Sequence, residues 1–132
     1  MNLSNYIESK RGTGILSTAG ADGTVNAAVY ARPHVLGNNR VGFIMRDRLS
    51  RANLKENSSA HFLFLEEGTK SRGIRLHLEK IGESGDPALI EQYTRRRERS
   101  DIGEDRHLVT FTVTKALEIL GGDEIELDGD SD

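Results

Sequence analysis

The chain has 132 residues and a formal net charge of −3, with 36% hydrophobic and 30% charged residues. This length predicts one domain, and the low hydrophobic share predicts that a second subunit or a bound cofactor completes the burial. The absence of cysteine excludes disulfides and thiolate chemistry and is typical of a reducing cytoplasm. The weakly negative charge argues against nucleic acid as a partner. No apolar run approaches the roughly 20 residues that a membrane span needs.

The first third of the chain predicts a short helix followed by strands. Leu3, Tyr6 and Ile7 follow helical spacing. The period then becomes that of strands, and residues 20–23 supply the glycines of a tight hairpin. Pro33 cannot donate a backbone hydrogen bond, which predicts a bulge or an edge around residues 32–34. The predicted strands form a three-stranded antiparallel meander and span residues 13–19, 24–36 and 40–46.

The rest of the chain predicts two more helices and at least three more strands. Ser50 is placed to cap a short helix. Asp86 and Pro87 give a second helix start, an acidic cap followed by proline at the first helical position. The predicted strands span residues 60–65, 74–81 and 109–113, the last with a continuation at 117–120.

These elements predict a mainly β fold, a small closed antiparallel barrel with few helices. We assign residues 1–122 to this barrel domain. Six of the ten residues from 123 to 132 are acidic, which predicts an acidic, disordered tail.

The sequence carries no strong catalytic signature. None of the four histidines has a partner at the spacing of a metal site, so no metal is predicted, and no nucleophile elbow, phosphate-binding loop or dinucleotide fingerprint is present. A chain without these signatures can still catalyse a reaction through a bound cofactor, either a flavin or a haem. The histidines are His34, His61, His77 and His107.

The densest cationic cluster spans residues 46–51, where a predicted strand leads into a helix start. Free backbone amides, the Ser50 hydroxyl and forked guanidinium groups would together suit an anion. The alternative is a solvated turn with ion pairs to Asp47 and Glu56. A second run at residues 95–99, with four arginines, is interpreted as a solvated helix face.

The order of elements and several short motifs resemble the pyridoxamine-phosphate-oxidase-like flavin-binding split barrels. The resemblance covers about residues 3–82 and, more weakly, 109–120. It implies a six-stranded antiparallel split barrel and a homodimer with FMN in a groove at its interface. The matching segments are GILST (14–18), an Asp-Gly turn (22–23), NAAVY (26–30), VGFIMR (41–46), SRANLKEN (50–57) and AHFLF (60–64).

The resemblance also implies a set of FMN-binding residues. The family's phosphate-binding residues correspond to Arg48, Ser50 and Arg51. The strand whose backbone edges the flavin ring corresponds to Ile44, Met45 and Arg46, the neighbouring strand to Tyr30, Ala31 and Arg32, and a further polar contact to Arg72. The family's phosphate-binding lysine is replaced by Ser50 or Arg51, and serine follows Asn57 where proline is usual. True pyridoxamine-phosphate oxidases recognise their substrate with a C-terminal segment that contains a tryptophan. This chain has no tryptophan, so oxidation of vitamin B6 is not expected.

The expected function is therefore that of an FMN-dependent oxidoreductase acting on an unidentified small substrate, with its catalytic residues unassigned. One alternative is a non-catalytic module that binds flavin, haem or deazaflavin, for which His34 would be the first candidate haem ligand. Another is an interaction protein without cofactor that uses the arginine-rich run and the acidic tail.

Overall fold

The computed structural model describes residues 1–94 and 105–128, which form an antiparallel sheet and short helices. No helix in these two ranges is long and apolar enough to cross a membrane. The elements are α1 (Leu3–Ser9), β1 (Gly12–Ala19), β2 (Val25–Tyr30), β3 (His34–Gly37), β4 (Arg40–Arg46), α2 (Leu49–Glu56), β5 (Ser59–Glu66), β6 (Gly73–Ser84), α3 (Pro87–Tyr93), β7 (Arg106–Glu118) and β8 (Glu124–Ile125).

The sheet curls into a split barrel. Its strand order is β2-β1-β5-β6-β7-β4-β3, with β8 added beside β7. Phe43 on β4 and Phe62 on β5 stand three steps apart in this order, yet their ring centroids are 5.2 Å apart. The mainly β split barrel is therefore confirmed, with eight strands in the described ranges where six were predicted. Full closure was wrong, because the end strands β2 and β3 do not pair with each other.

The predicted three-stranded meander is correct in its two hairpin pairings and wrong in treating residues 24–36 as one strand. Strand β2 pairs with β1, whereas β3 pairs with β4 at the opposite end of the sheet. Pro33 is buried between β2 and β3 and has no N–H to continue a ladder. Of the predicted bulge or edge around residues 32–34 the edge is confirmed, since β2 and β3 are the two end strands, and the chain crosses between them from one end of the sheet to the other.

The core follows the two-residue alternation of the strands. Inward-facing side chains of every long strand are buried, while their neighbours face outward. Gly14 lets the β1 backbone approach the centre, because a Cβ there would lie 2.6 Å from Cζ of Phe62. The largest fully buried side chains include Leu16, Met45, Phe62, Phe64, Ile74, Leu76, Val109 and Phe111.

One predicted helix cap is confirmed and one is wrong. Asp86 caps α3, since its carboxylate accepts a hydrogen bond from the Ala88 amide at 3.0 Å. Helix α2 begins at Leu49, so its N-cap is Arg48 and not Ser50. The side chain of Arg48 makes no capping hydrogen bond.

Part of the segment predicted as a disordered tail is ordered. Glu124–Ile125 forms β8 against β7, and the amide of Asp128 donates to the Met1 carbonyl at 2.7 Å. Ile125 and Leu127 alternate toward the barrel and pack against its core. This apolar alternation outweighs the acidic composition on which the prediction rested. Residues 129–132 lie outside the described residues.

Deleting residues 123–132 is expected to lower the free energy of unfolding by about 1 to 3 kcal/mol, because two partly buried apolar side chains and a strand pairing are lost. Urea denaturation of the two chains would measure the difference. Deleting 129–132 alone serves as the control and is expected to change little. Equal midpoints for the wild type and the longer deletion would contradict the packing of Ile125 and Leu127.

Candidate functional site

A groove of about 370 Å³ opens at the split, between β2, the end of β4 and the start of α2. Its volume is in the range of small-molecule sites. Five of the residues predicted from the sequence line this single groove, although they come from three different elements. These are Tyr30, Ile44, Arg46, Arg48 and Ser50.

Strand β2 supplies one wall. Asn26, Ala28 and Tyr30 lie at two-residue intervals on the same face of β2 and line the groove. The Tyr30 ring packs edge-on against Phe43, with centroids 5.8 Å apart. Burial raises the pKa of Tyr30, while a hydrogen bond with Ser50 and the positive charge of Arg48 act in the opposite direction. The phenol therefore stays protonated at neutral pH and can donate a hydrogen bond.

Strand β4 supplies backbone groups as well as side chains. Strand β3 pairs with β4 only from Arg40 to Gly42, while β7 pairs with it as far as Arg46. Beyond Gly42, the edge of β4 that faces away from β7 has no strand partner within residues 1–94 and 105–128. This edge runs past Ile44, so N–H and C=O groups can reach a ligand in the groove.

The start of α2 gives the groove an anion-binding end. The first helical hydrogen bond joins the Ala52 amide to the Arg48 carbonyl at 3.0 Å. The three amides before Ala52 have no helical acceptor and carry the positive end of the helix dipole. Ser50 is 5% exposed, and Arg48 is exposed without an ion pair to any described carboxylate. A phosphate or carboxylate would find several donors here.

Arg51 does not line the groove. It is 8% exposed, and its Nη2 donates to Glu83 Oε1 at 2.7 Å while Nη1 donates to Asp47 Oδ1 at 2.9 Å. The hydrogen bond from Arg51 lowers the pKa of Glu83 to about 2. The ion pair with Asp47 considered from the sequence is present, and the second partner is Glu83 instead of Glu56.

Four other predicted residues, which include Ala31, are not among the side chains that line the groove. Met45 is 1% exposed and points into the core, so only its backbone could face the groove. Arg32, which follows Ala31 in the β2–β3 connection, donates to the carbonyls of Ile7 and Lys10 at 2.7 and 2.6 Å. Arg72 is exposed in the loop between β5 and β6.

Four lining residues were missed from the sequence. Two of them, Asn26 and Ala28, lie at two-residue intervals before Tyr30, so the alternation of a strand could have indicated them. Leu49 is 56% exposed and Val29 is 76% exposed. Their small or apolar side chains carry no chemical signal of their own.

The four histidines are far apart in the sequence, but the strand register brings two of them together. His61 on β5 lies opposite His77 on β6, with ring centroids 5.2 Å apart. Burial, and then the charges of His77 and Arg75, lower the pKa of His61. His34 lies outside the groove, with its ring 5.4 Å from that of Tyr93. No cluster of three or more metal-ligating side chains occurs within the described ranges.

Comparison with known proteins identifies the fold. No family model and no curated protein matches the chain. An FMN-binding protein from Syntrophomonas wolfei has a TM-score of 0.69 at 20% identity, over 95% of this chain and 84% of that one. A Clostridium acetobutylicum protein related to general stress protein 26, of the pyridoxinephosphate oxidase family, has a TM-score of 0.72 at 17% identity, over 95% and 92%. HupZ of Group A Streptococcus has a TM-score of 0.73 at 14% identity, over 94% and 96%.

The chain has the fold of the pyridoxamine-phosphate-oxidase-like split barrels. The fold resemblance drawn from the motifs is thus confirmed. The arginine-rich run at residues 95–99, interpreted as a solvated face, lies outside the described residues.

Proposed function

We propose that the groove binds FMN and that the protein uses it as an oxidoreductase on a small substrate. The observation that carries the proposal is the arrangement of the groove itself. A helix start with Arg48 and Ser50 stands at one end, and a partly apolar wall beside an unpaired strand edge stands next to it. FMN has the same two parts, a phosphate dianion and a flat ring with polar edges.

The residues present fit each part of FMN. The phosphate would accept hydrogen bonds from the α2 amides, the Ser50 hydroxyl and the Arg48 guanidinium. Ala28, Ile44 and the Tyr30 ring offer apolar surface to the flavin ring. The edge of β4 at Ile44, which has no strand partner among residues 1–94 and 105–128, offers backbone donors and acceptors to the polar rim of the ring.

FMN, when bound, would supply hydride transfer at its N5 atom, so the protein needs no strong acid or base of its own. The role of the chain is then to hold the phosphate and to orient the ring. Tyr30 keeps its proton at neutral pH and can hold a hydrogen-bonding position beside the ring. The binding of FMN by the solved structure from Syntrophomonas wolfei, which shares this fold, supports the proposal.

We also propose that a second copy of the chain covers the outer face of β2, β1 and β5. Val29 lies opposite Ile15, which lies opposite Leu63, so three apolar side chains form a row across this face. Val25 and Val29 are 70% and 76% exposed on the outer side of β2. Val29 also lines the groove, so a copy packed on this face would close the groove as well. A two-fold dimer would therefore complete both binding sites at once.

An absorption spectrum of the purified protein, followed by mass spectrometry of the released ligand, tests this function. Flavin bands and the mass of FMN are the expected result. Reduction by a nicotinamide donor and reoxidation in air would then establish redox turnover. A Soret band would show that the cofactor is haem, and the mass of a deazaflavin would show that it is a deazaflavin. If the protein did not take up added FMN, the proposal would be overturned.

A further inference from the structure

The buried Arg51 belongs to the first turns of α2, next to Ser50, but does not line the groove. We infer that Arg51 is a positioning residue, which orders Arg48 and Ser50 by bridging Asp47 and Glu83 and does not touch the bound phosphate. This inference rests on the proposed function.

The bridge joins three separate pieces of backbone. Asp47 belongs to the short link between β4 and α2, Arg51 to the first turns of α2, and Glu83 to the far end of β6. The Arg51 fork donates to both oxygens of Glu83, at 2.7 and 3.3 Å, and a third nitrogen donates to Asp47 at 2.9 Å. The link between β4 and α2 is thereby tied to the barrel wall immediately before Arg48.

The β6 end of the bridge is itself held in place. The ladder between β6 and β7 shifts register between Lys80 and Gly82, and pairing then continues through Glu83. Lys80 approaches the second oxygen of Glu83 at 3.4 Å. Glu83 is therefore fixed by the strand ladder and by two cations, so it can serve as an anchor for α2.

Arg51 cannot reach a phosphate without breaking this bridge. Its side chain is 9% exposed, and three of its donor groups already point at carboxylates. Turning it toward the groove would leave Asp47 without this ion pair and Glu83 with Lys80 alone, at the cost of breaking the contacts of a buried guanidinium. Arg48, which is exposed, can bind a phosphate without breaking an ion pair to a described carboxylate.

The bridge also has an electrostatic consequence for the groove. Two carboxylates beside a helix start would repel a phosphate and would lower the affinity for it. Arg51 pairs with both of them and reduces this repulsion. The bridge therefore supports phosphate binding through geometry and through charge.

The substitution Glu83→Gln separates positioning from direct contact, because the two roles predict opposite signs. Removing a negative charge near a phosphate would by itself strengthen FMN binding. If the bridge orders the site, Glu83→Gln instead weakens FMN binding, roughly tenfold, because Arg51 loses its fixed partner. Riboflavin, which lacks the phosphate, should bind each variant about as well as it binds the wild type.

The full experiment is a double-mutant cycle read by flavin fluorescence. The dissociation constants of FMN and riboflavin are measured for Arg51→Met, Glu83→Gln, the double variant, and Glu56→Gln as a control that removes an exposed carboxylate from the same helix. Positioning predicts that the double variant is no weaker than Arg51→Met alone and that the control is unchanged. Thermal melting verifies that each variant is folded, and Arg51→Lys, which keeps the charge without the fork, should fall between the wild type and Arg51→Met.

The outcomes are distinguishable. Unchanged or tighter FMN binding in folded Glu83→Gln, together with a loss in Arg51→Met, would make Arg51 a direct ligand and overturn the inference while FMN binding stands. Equal losses for FMN and riboflavin would show a general structural effect, which also overturns it. Failure of the wild type to bind FMN would overturn the proposed function and this inference with it.

Discussion

Arg48→Ala will weaken FMN binding roughly ten- to a hundredfold and leave riboflavin binding nearly unchanged, because a hydrogen bond to a charged group contributes about 1.5 to 3 kcal/mol. Arg48 lines the anion-binding end of the groove, and no described carboxylate pairs with it. Flavin fluorescence titration of both ligands measures the two affinities. Ser50→Ala should lose phosphate affinity in the same sense but by less, because a neutral donor is removed.

Lys55→Ala is the matched control for Arg48→Ala. Lys55 is an exposed cation on the same helix but in its last turn, at the end away from the groove. Its removal changes the net charge by the same amount and is expected to leave FMN affinity within experimental error. Similar losses for the two variants, or equal wild-type affinities for FMN and riboflavin, would contradict the assignment of the phosphate to the start of α2.

The parts of the fold that local chemistry determines could be predicted from the sequence. Asp86 and Pro87 start α3, and Pro33 lies in the break between β2 and β3, because a cap and a missing N–H act on their own neighbours. The separation of the hairpin β1–β2 from the hairpin β3–β4 could not be derived in the same way. The two hairpins lie at opposite ends of the sheet, and this order depends on the pairing of β4 with β7, which are distant in sequence.

In the candidate site, too, contacts between residues distant in sequence decide what the local sequence could not predict. Arg48 and Arg51 are chemically alike and three residues apart, so the sequence predicts both as phosphate ligands. They differ because Arg51 faces Glu83, a residue 32 positions further along the chain that β6 brings beside α2. The pairing of His61 with His77 likewise depends on the register of β5 and β6 and has no sequence signal.

Strand alternation separates the side chains of residues that are adjacent in the sequence. The resemblance matches the backbone at Ile44 and Met45 to the edge of the flavin ring, whereas the side chains of adjacent strand residues point to opposite faces. Met45 lies in the core, and Ile44 lines the groove. The same alternation places Ile125 and Leu127 against the core in a segment whose acidic composition predicted disorder.

Val29→Glu is expected to dissociate the proposed dimer without destabilising the subunit. Val29 is 76% exposed in the single chain, so a carboxylate there stays in water and the barrel keeps its contacts. In a two-fold interface the same substitution occurs twice, and each unpaired buried carboxylate would cost several kcal/mol. The dimer should weaken by at least about a thousandfold.

Sedimentation velocity at micromolar concentration measures this effect. The wild type should sediment at twice the 14.6 kDa of one chain, and Val29→Glu at 14.6 kDa with an unchanged melting temperature. Leu120→Glu is the matched control, since Leu120 is 62% exposed in the turn after β7 and lies outside β1, β2 and β5. A wild type that sediments as one chain, or a Val29→Glu variant that stays dimeric, would show that this face does not hold a second copy.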